Sequence, residues 1–455
     1  MIVMKFGGTS VQDAEAMEQV IAIVKSKLAQ QPIVVVSAMA QVTDTLIKCA
    51  RLAGEGKEFE ARKIIEDAIV KRHYEIATKL IQDSLRRKSV LEAVDRYLDE
   101  VKTLITGLSI LRELSPRSLD AVASYGERLS SLILSIAMQD RGINAELVDA
   151  RQIIVTDDNY TKATPLFDLS AYKVKEFLPP IIKKGAVPLT QGFVSSTRDG
   201  ITTTLGRGGS DYSAAIIGAL LDVELIEIWT DVDGILTADP KLVPEARVLE
   251  TVTFQEASEL AYFGAKVLHP STLLPAVEKN IPVHVYNTKR PESKGTHIVS
   301  TDTSEGVHSY VKSIAYKRGI TVINVYSTRM LLAHGFLKSI FEIFDRFETS
   351  VDIVSTSEVN VSLTIDDTSR LEEIVRELRR FSSVNVEQDK AIICIVGEKM
   401  RYTAGMAARV FTAVRDVPVN VISQGASEIN LSFIINETEV PRVVRKLHHE
   451  FFRKD

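Results

Sequence analysis

Three segments of this chain carry the residue types needed to handle a phosphate. The first is Lys5-Phe6-Gly7-Gly8-Thr9-Ser10, at the end of an apolar run. Glycines let backbone N–H groups approach an anion, the helix start that follows favours negative charge, and Lys5 adds a full positive charge. The lysine precedes the glycines, so this is not the GxxxxGK[ST] loop; a plain strand-to-helix turn with a surface lysine is the other reading. The second is Gly206-Arg207-Gly208-Gly209-Ser210-Asp211. Backbone amides and a planar guanidinium there can grip a carboxylate or a phosphate. Asp211 suits a metal or a lysine partner, or simply caps a helix, a task Ser210 can perform alone. The third is Thr230-Asp231-Val232-Asp233-Gly234, where an apolar strand stops in a polar loop; Asp233-Gly234 also suits an ordinary turn.

Weaker candidates surround these. Glu127, in Tyr125-Gly126-Glu127-Arg128, can receive an ammonium group, although its residue type alone favours a solvent-facing side chain. Gly192-Phe193 follows a strand and can bring a backbone group to a substrate. Lys266 and His269 fall in a polar break after a helix; His269 has no Ser or Cys partner at a recognisable spacing and reads as structural.

The elements that must position these groups follow from periodicity. Ile2–Phe6 reads as a strand, Ser10–Asp13 as a capping box, and Ala14, Met17, Ile21, Val24 and Leu28 as one helix face. Pro32–Ser37 is a continuous apolar run, the pattern of a parallel strand buried on both faces. Residues 43–114 read as charged helices, and Leu119–Asp140 as one long helix. Short strands near 146–148, 186–190, 224–229 and 283–286 alternate with helices near 210–221 and 254–264, so the sheet is parallel with helices on both faces. Ligands in such sheets sit beyond the carboxyl ends of strands, where all three loops converge.

Bulk properties exclude several classes. A chain of 455 residues suggests two to four domains. With 45% hydrophobic and 25% charged residues it is an ordinary globular protein, and a net charge of −5 without a basic stretch argues against nucleic acid. Arg62-Lys63 and Arg86-Arg87-Lys88 read as solvated helix faces. Cys49 and Cys394 make neither a disulfide framework nor a zinc site, which points to a reducing cytosol. No run of about 18 apolar residues and no signal-peptide pattern occur.

The C-terminal third repeats itself. Gly335-Phe336-Leu337 returns as Gly405-Met406-Ala407, and Ser357–Leu363 as Ser427–Phe433, each 70 residues later. Each copy reads as a βαββαβ ferredoxin-like module, for regulatory ligand binding or for dimerisation.

Together these segments resemble the aspartate kinases of the amino-acid kinase family, over Met1 to about Phe452. The matching pieces are Lys5–Ser10, Ser37 with Thr43, Gly126-Glu127, Gly192-Phe193, Gly206–Asp211, Thr230–Gly234 and Lys266–Pro270. The resemblance implies an α/β fold: a three-layer α/β/α, carbamate kinase-like catalytic domain at residues 1–290 with a mainly parallel sheet. Residues 291–318 would form a linker and strands joining the second ACT module; the two ACT modules would be 319–390, the effector-binding one, and 391–455. It implies ATP-dependent phosphorylation of the β-carboxylate of L-aspartate, with Mg²⁺ delivered by ATP and no protein metal site. A carboxylate nucleophile is already ionised, so no general base is needed, and positioning with charge neutralisation must carry the rate.

By the same resemblance, Lys5 neutralises the transferring phosphoryl beside Gly7 and Gly8, and Asp211 orients Lys5. Arg207 clamps the α-carboxylate and Glu127 the α-ammonium of aspartate, with Ser37, Thr43, Phe193, Gly208, Gly209 and Ser210 around them. Phe6, Thr230, Asp231, Leu236, Lys241, Lys266 and Val267 line the nucleotide site. Leu236 stands where an aromatic is usual and Lys241 where an arginine is. The implied effector is lysine first and threonine second, at Met330, Ala333, Gly335, Phe336, Leu337, Val351, Asp352, Thr356, Ser357 and Glu358. Ala333 replaces a small polar residue. The resemblance further implies a cytoplasmic homodimer joined through the ACT modules, or a tetramer, with no membrane contact. Related carboxylate kinases, a silent amino-acid sensor and a bifunctional enzyme are the alternatives; the chain length leaves no room for the last.

Overall fold

The computed structural model describes every residue except 265–269, 302–309, 331–333 and 454–455. The chain divides into two compact units. One comprises Met1–Ile235, Glu250–Phe254 and Val267–Asp302, the other Leu236–Leu249, Gln255–Lys266 and Thr303–Asp455.

The first unit is built on an eight-stranded sheet. Its order is Ala145–Val148, Val187–Gln191, Pro32–Val36, Ile2–Phe6, Leu225–Thr230, Val283–Asn287, Thr296–Val299 and Thr251–Thr253. Every pairing is parallel except that of Val283–Val285 with Thr296–Ile298. Alternation along the strands separates two faces. Ile2, Met4 and Phe6, with Val34 and Val36, join a core shared with the helices of residues 14–140. Val3, Ile33, Val35, Ile226 and Ile228 are buried on the other face, where helix Gly209–Leu221 packs on Ile2–Phe6. Lys5 has the parity of Val3, so it faces that helix.

Several local expectations change. Asp13, not Ser10, caps helix Ala14–Ser26, accepting from Ala16 N at 2.8 Å. Ser10 is engaged elsewhere, its Oγ 2.7 Å from Thr288 Oγ1. The segment 119–140 is not one helix: Pro116–Ala123 and Tyr125–Asp140 meet at Ser124. Strand Thr296–Val299 carries the first unit's sheet past residue 290 by antiparallel pairing, so the compact division does not fall at 290. A small sheet of Val155–Thr156, Val194–Thr197 and Thr202–Thr204 was hidden in the sequence because its strands are too short to show a period.

The second unit holds a six-stranded antiparallel sheet, ordered Val354–Thr356, Asn360–Ile365, Val311–Tyr326, Ser383–Gly397, Asn430–Asn436 and Val421–Gln424. The two long central strands each serve both repeats, with register shifts between Lys317 and Val322 separating the halves. Helices Phe336–Arg346 and Leu371–Leu378 cover the first half, and Met406–Ala413 and Val440–Phe452 the second. The repeat is therefore real but not βαββαβ in its second copy. That copy's last sheet position is filled by Val311–Lys317, which precedes the first copy.

Candidate active site

A cavity of about 380 Å³ opens in the first unit at the carboxyl ends of its central strands. Lys5, Gly8, Ser37, Ala38, Thr43, Glu127, Phe193, Gly208, Gly209, Ser210 and Asp211 line it, joined by Met39, Ala40, Gln41, Asp44 and Gly206. Residues from five separate segments thus meet at one place. Lys5 Nζ lies 2.6 Å from Asp211 Oδ1, and both side chains are nearly buried. Asp211 sits in the first turn of helix Gly209–Leu221, whose N-cap is Gly208 in the left-handed region, with φ +71° and no side-chain cap. The capping role open to Ser210 and Asp211 is therefore not used.

Close backbone approach builds the walls. Gly7 N–H donates to Trp229 O, and Ala40 N–H to Gly8 O, each at 3.0 Å. A Cβ on Gly192 would lie 2.6 Å from Ser210 Cβ and 2.7 Å from its Cα, so only glycine lets the strand end pass the helix start. Next to it Phe193 has φ +65°, and its N–H donates to Ser213 Oγ at 2.9 Å.

Glu127 is buried, not solvent-facing. It is 4% exposed, and Oε2 has no partner among the described residues. Burial pushes its carboxyl up to about 8, against a lowering hydrogen bond from the Ala38 backbone. Gly126 makes this possible, since a Cβ there would stand 2.8 Å from Ala38 Cβ. A buried acceptor without a partner, facing a cavity, is suited to a cationic ligand group.

Other candidate residues fall outside the cavity. Arg207 is exposed and does not line it. Phe6 has no exposed surface and stacks on Trp229 with ring centroids 6.1 Å apart, so its side chain belongs to the core and cannot reach a nucleotide. Thr230 ends the strand beside Ile2–Phe6, and Asp231 follows it in the loop. Leu236 and Lys241 belong to the second unit, where Leu236 bridges to Val248 and Lys241 is exposed. Lys266, Val267, His269 and Ala333 lie outside the described residues.

Supporting residues carried no signal in the sequence. Asp120 is buried mid-helix and accepts from Thr161 N at 2.9 Å, Thr204 N at 3.0 Å and Thr204 Oγ1 at 2.7 Å, fixing the strand that leads into Gly206. Asp233 is more than a turn residue: it accepts from Asn287 Nδ2 at 2.7 Å and pairs with Arg290.

In the second unit, Asp352 is the best-anchored of the candidate effector residues. Its Oδ1 takes Lys317 Nζ at 3.0 Å and Tyr262 Oη at 2.5 Å, while Oδ2 has no partner among the described residues. Phe336 packs edge-on against Phe381, and Met330 and Val351 pack on the same core. Leu337, Thr356, Ser357 and Glu358 are exposed, and Gly335 caps helix Phe336–Arg346 with φ +81°.

Comparison with known proteins agrees with this geometry. Residues 1–287 match the amino acid kinase family and residues 393–451 an ACT domain. "Aspartokinase 1, chloroplastic" of Arabidopsis thaliana is 37% identical across 99% of this chain and 80% of its own length. "Lysine-sensitive aspartokinase 3" of Escherichia coli is 36% identical across 99% of each. Among solved structures, E. coli aspartokinase III in complex with aspartate and ADP matches with a TM-score of 0.87 at 35% identity over the whole of both chains. The same enzyme in complex with lysine and aspartate matches with a TM-score of 0.82 at 34% identity, also over both whole chains. This chain belongs to the aspartokinases of the amino acid kinase family.

Proposed function

We propose that the cavity around Lys5 and Asp211 brings the γ-phosphoryl of ATP to the β-carboxylate of L-aspartate. The chain is an aspartate kinase. A carboxylate oxygen attacks the γ-phosphorus, the bond to the β,γ-bridging oxygen breaks, and 4-phospho-L-aspartate and ADP leave. The observation that carries this assignment is the Lys5–Asp211 pair at 2.6 Å in a cavity that also holds the unpartnered Glu127 carboxyl. Asp211 holds Lys5 extended along the phosphate side, where its charge offsets that of the transferring group, a major source of phosphoryl-transfer rate. Gly7 and Gly8 bring the backbone close enough for the phosphates. Glu127 takes the α-ammonium, and Ser37, Thr43, Phe193, Gly208, Gly209 and Ser210 surround the rest of aspartate. Arg207, exposed in this arrangement, takes the α-carboxylate by swinging inward.

Thr230 and Asp231 line the nucleotide side. Mg²⁺ arrives with ATP, held by phosphates and water. Lysine is the feedback effector and threonine the second choice, with Asp352 receiving an ammonium group. The six-stranded antiparallel sheet that the two repeats share is the element through which the ACT modules join a second copy. No helix of the described residues is long and apolar enough to cross a membrane. We place the enzyme in the cytoplasm.

The direct test traps the acyl phosphate with hydroxylamine in the presence of ATP and Mg²⁺. Hydroxamate from aspartate is the expected result. Hydroxamate from glutamate alone would overturn the substrate, and none from either would leave only an amino-acid sensor.

A further inference from the structure

We propose that Arg72, which does not touch the cavity, is a positioning residue for phosphoryl transfer, tying the turn that carries Gly8 to the loop that carries Ala38–Gln41. The inference rests on the kinase reading of that cavity.

Arg72 is half-buried in helix Lys71–Leu80. Its Nη1 donates to Ala40 O and its Nη2 to Gln12 O, each at 2.7 Å. One guanidinium therefore spans two chain segments that are otherwise joined by the Ala40 N–H bond to Gly8 O at 3.0 Å. On one side is the 3-10 turn Gly8–Val11, directly after Lys5 and Gly7. On the other is the loop carrying Ser37–Gln41 and Thr43, which lines the same cavity directly beside Gly8. Phosphoryl donor and acceptor are held on these two sides, so their separation is set by the spacing of the two backbones.

Neither segment can fix that spacing by itself. Gly8 has no side chain, and the methyl side chains of Ala38 and Ala40 cannot hydrogen-bond, which leaves the one Ala40 N–H bond to Gly8 O. Gln41 is held at φ +70°, a conformation that side chains of its kind rarely adopt. A planar two-pronged donor is the group best suited to lock two carbonyls at a fixed distance. Asp13 lies beside the guanidinium and adds electrostatic support, while capping the helix that starts at Ala14.

The local helix is shaped to present Arg72. A π-helical segment, Ile65–Val70, precedes it, and Lys71 N–H reaches back to Glu66 O. This wider turn advances the register, so that His73 enters the core while its neighbour Arg72 faces the two turns. Displacements of about 1 Å between reacting groups cost on the order of 10²-fold in rate.

The test is steady-state kinetics by hydroxamate trapping on the full chain, with Arg72→Ala and Arg72→Lys. Lysine keeps the charge and the stem but can hold only one carbonyl. Both variants are expected to show kcat lowered roughly tenfold to a hundredfold and a raised KM for aspartate. Low-millimolar guanidinium chloride should partly restore Arg72→Ala and leave the wild type unchanged. If Arg72→Ala does not fold, Arg72→Lys carries the test. Wild-type constants in Arg72→Lys overturn the inference. So does a lower kcat with unchanged KM and no rescue, which is the signature of fewer folded molecules. Absence of product from the wild type instead defeats the kinase reading itself.

Discussion

Lys317 and Asp352 form an ion pair at 3.0 Å inside the second unit, and Lys317 also reaches Asp366 Oδ2 at 2.8 Å while lying over the Tyr262 ring, 4.9 Å from its centroid. An internal ammonium thus already sits on the carboxylate proposed to receive the effector's ammonium. An incoming lysine must share or displace it. Asp352→Asn should raise the lysine concentration for half-inhibition by about tenfold or more, the value of a charge-assisted bond, while kcat stays within twofold. Lys317→Met should lower that concentration by removing the competitor. Inhibition curves that do not move in either variant would take Asp352 out of the effector site.

Lys5 and Asp211 should act as one unit. Lys5→Ala is expected to lower kcat by about 10²–10³-fold, as for loss of one key charge-stabilising group. Asp211→Asn should lower it through Lys5, so the double variant should be little worse than the worse single one. Fully multiplicative losses would show that the two groups act separately.

Glu127 gives a pH signature. In the free enzyme its carboxyl is held protonated up to about pH 8 because burial disfavours the charged form. Only the ionised form can pair with an α-ammonium, so kcat/KM for aspartate should rise as pH rises toward 8 and then level off. Glu127→Gln should lower kcat/KM and abolish that limb. A limb that survives the substitution belongs to another group.

Gly192 should tolerate no side chain. Gly192→Ala would force a Cβ to 2.6 Å from Ser210 Cβ, pushing helix Gly209–Leu221 and its Asp211 away from Lys5. Overpacking of this kind costs about 1–3 kcal/mol. The thermal midpoint and kcat should both fall; loss of stability without loss of turnover would show that the helix start does not need this placement.

His73 should make stability depend on pH. It is fully buried with Nδ1 on Ile69 O at 2.7 Å, and burial lowers its pKa from 6.5 to about 4. The folded state therefore prefers the neutral ring. This contribution is complete above pH 6.5 and is lost as pH falls toward 4, to a total of about 3 kcal/mol. Melting curves between those pH values should fall more steeply for the wild type than for His73→Leu, which has nothing to titrate. Equal slopes would show that His73 does not set the dependence.

Much of the cavity wall around Lys5 was legible in sequence because its residue pattern is local. Lys5, Gly7 and Gly8 sit in one strand-to-turn segment, Gly206–Asp211 in another, and a glycine or a charge next to an apolar run announces itself. Glu127 was not legible from its own surroundings. A glutamate near a helix start usually faces water, and its burial depends on Gly126 meeting Ala38, some 90 residues earlier in the chain. Asp120 and Arg72 gave no signal for the same reason: one holds a strand and the other two carbonyls, and backbone partners leave no mark in residue types. The strand borrowed by the second repeat, Val311–Lys317, was assigned to that module only by the family resemblance, since an apolar run by itself does not say which sheet position it fills.

By itself, then, the sequence determined the set of chemical groups, the parallel-strand framework and the 70-residue repeat, all of which follow from residue type and short-range period. The tertiary structure alone decided which groups meet. Lys5 and Asp211 are 206 positions apart, and only the strand parity that turns Lys5 toward helix Gly209–Leu221 brings them to 2.6 Å. It also decided protonation, because the pKa of Glu127 depends on the water removed around it, which is a property of packing and not of the residue.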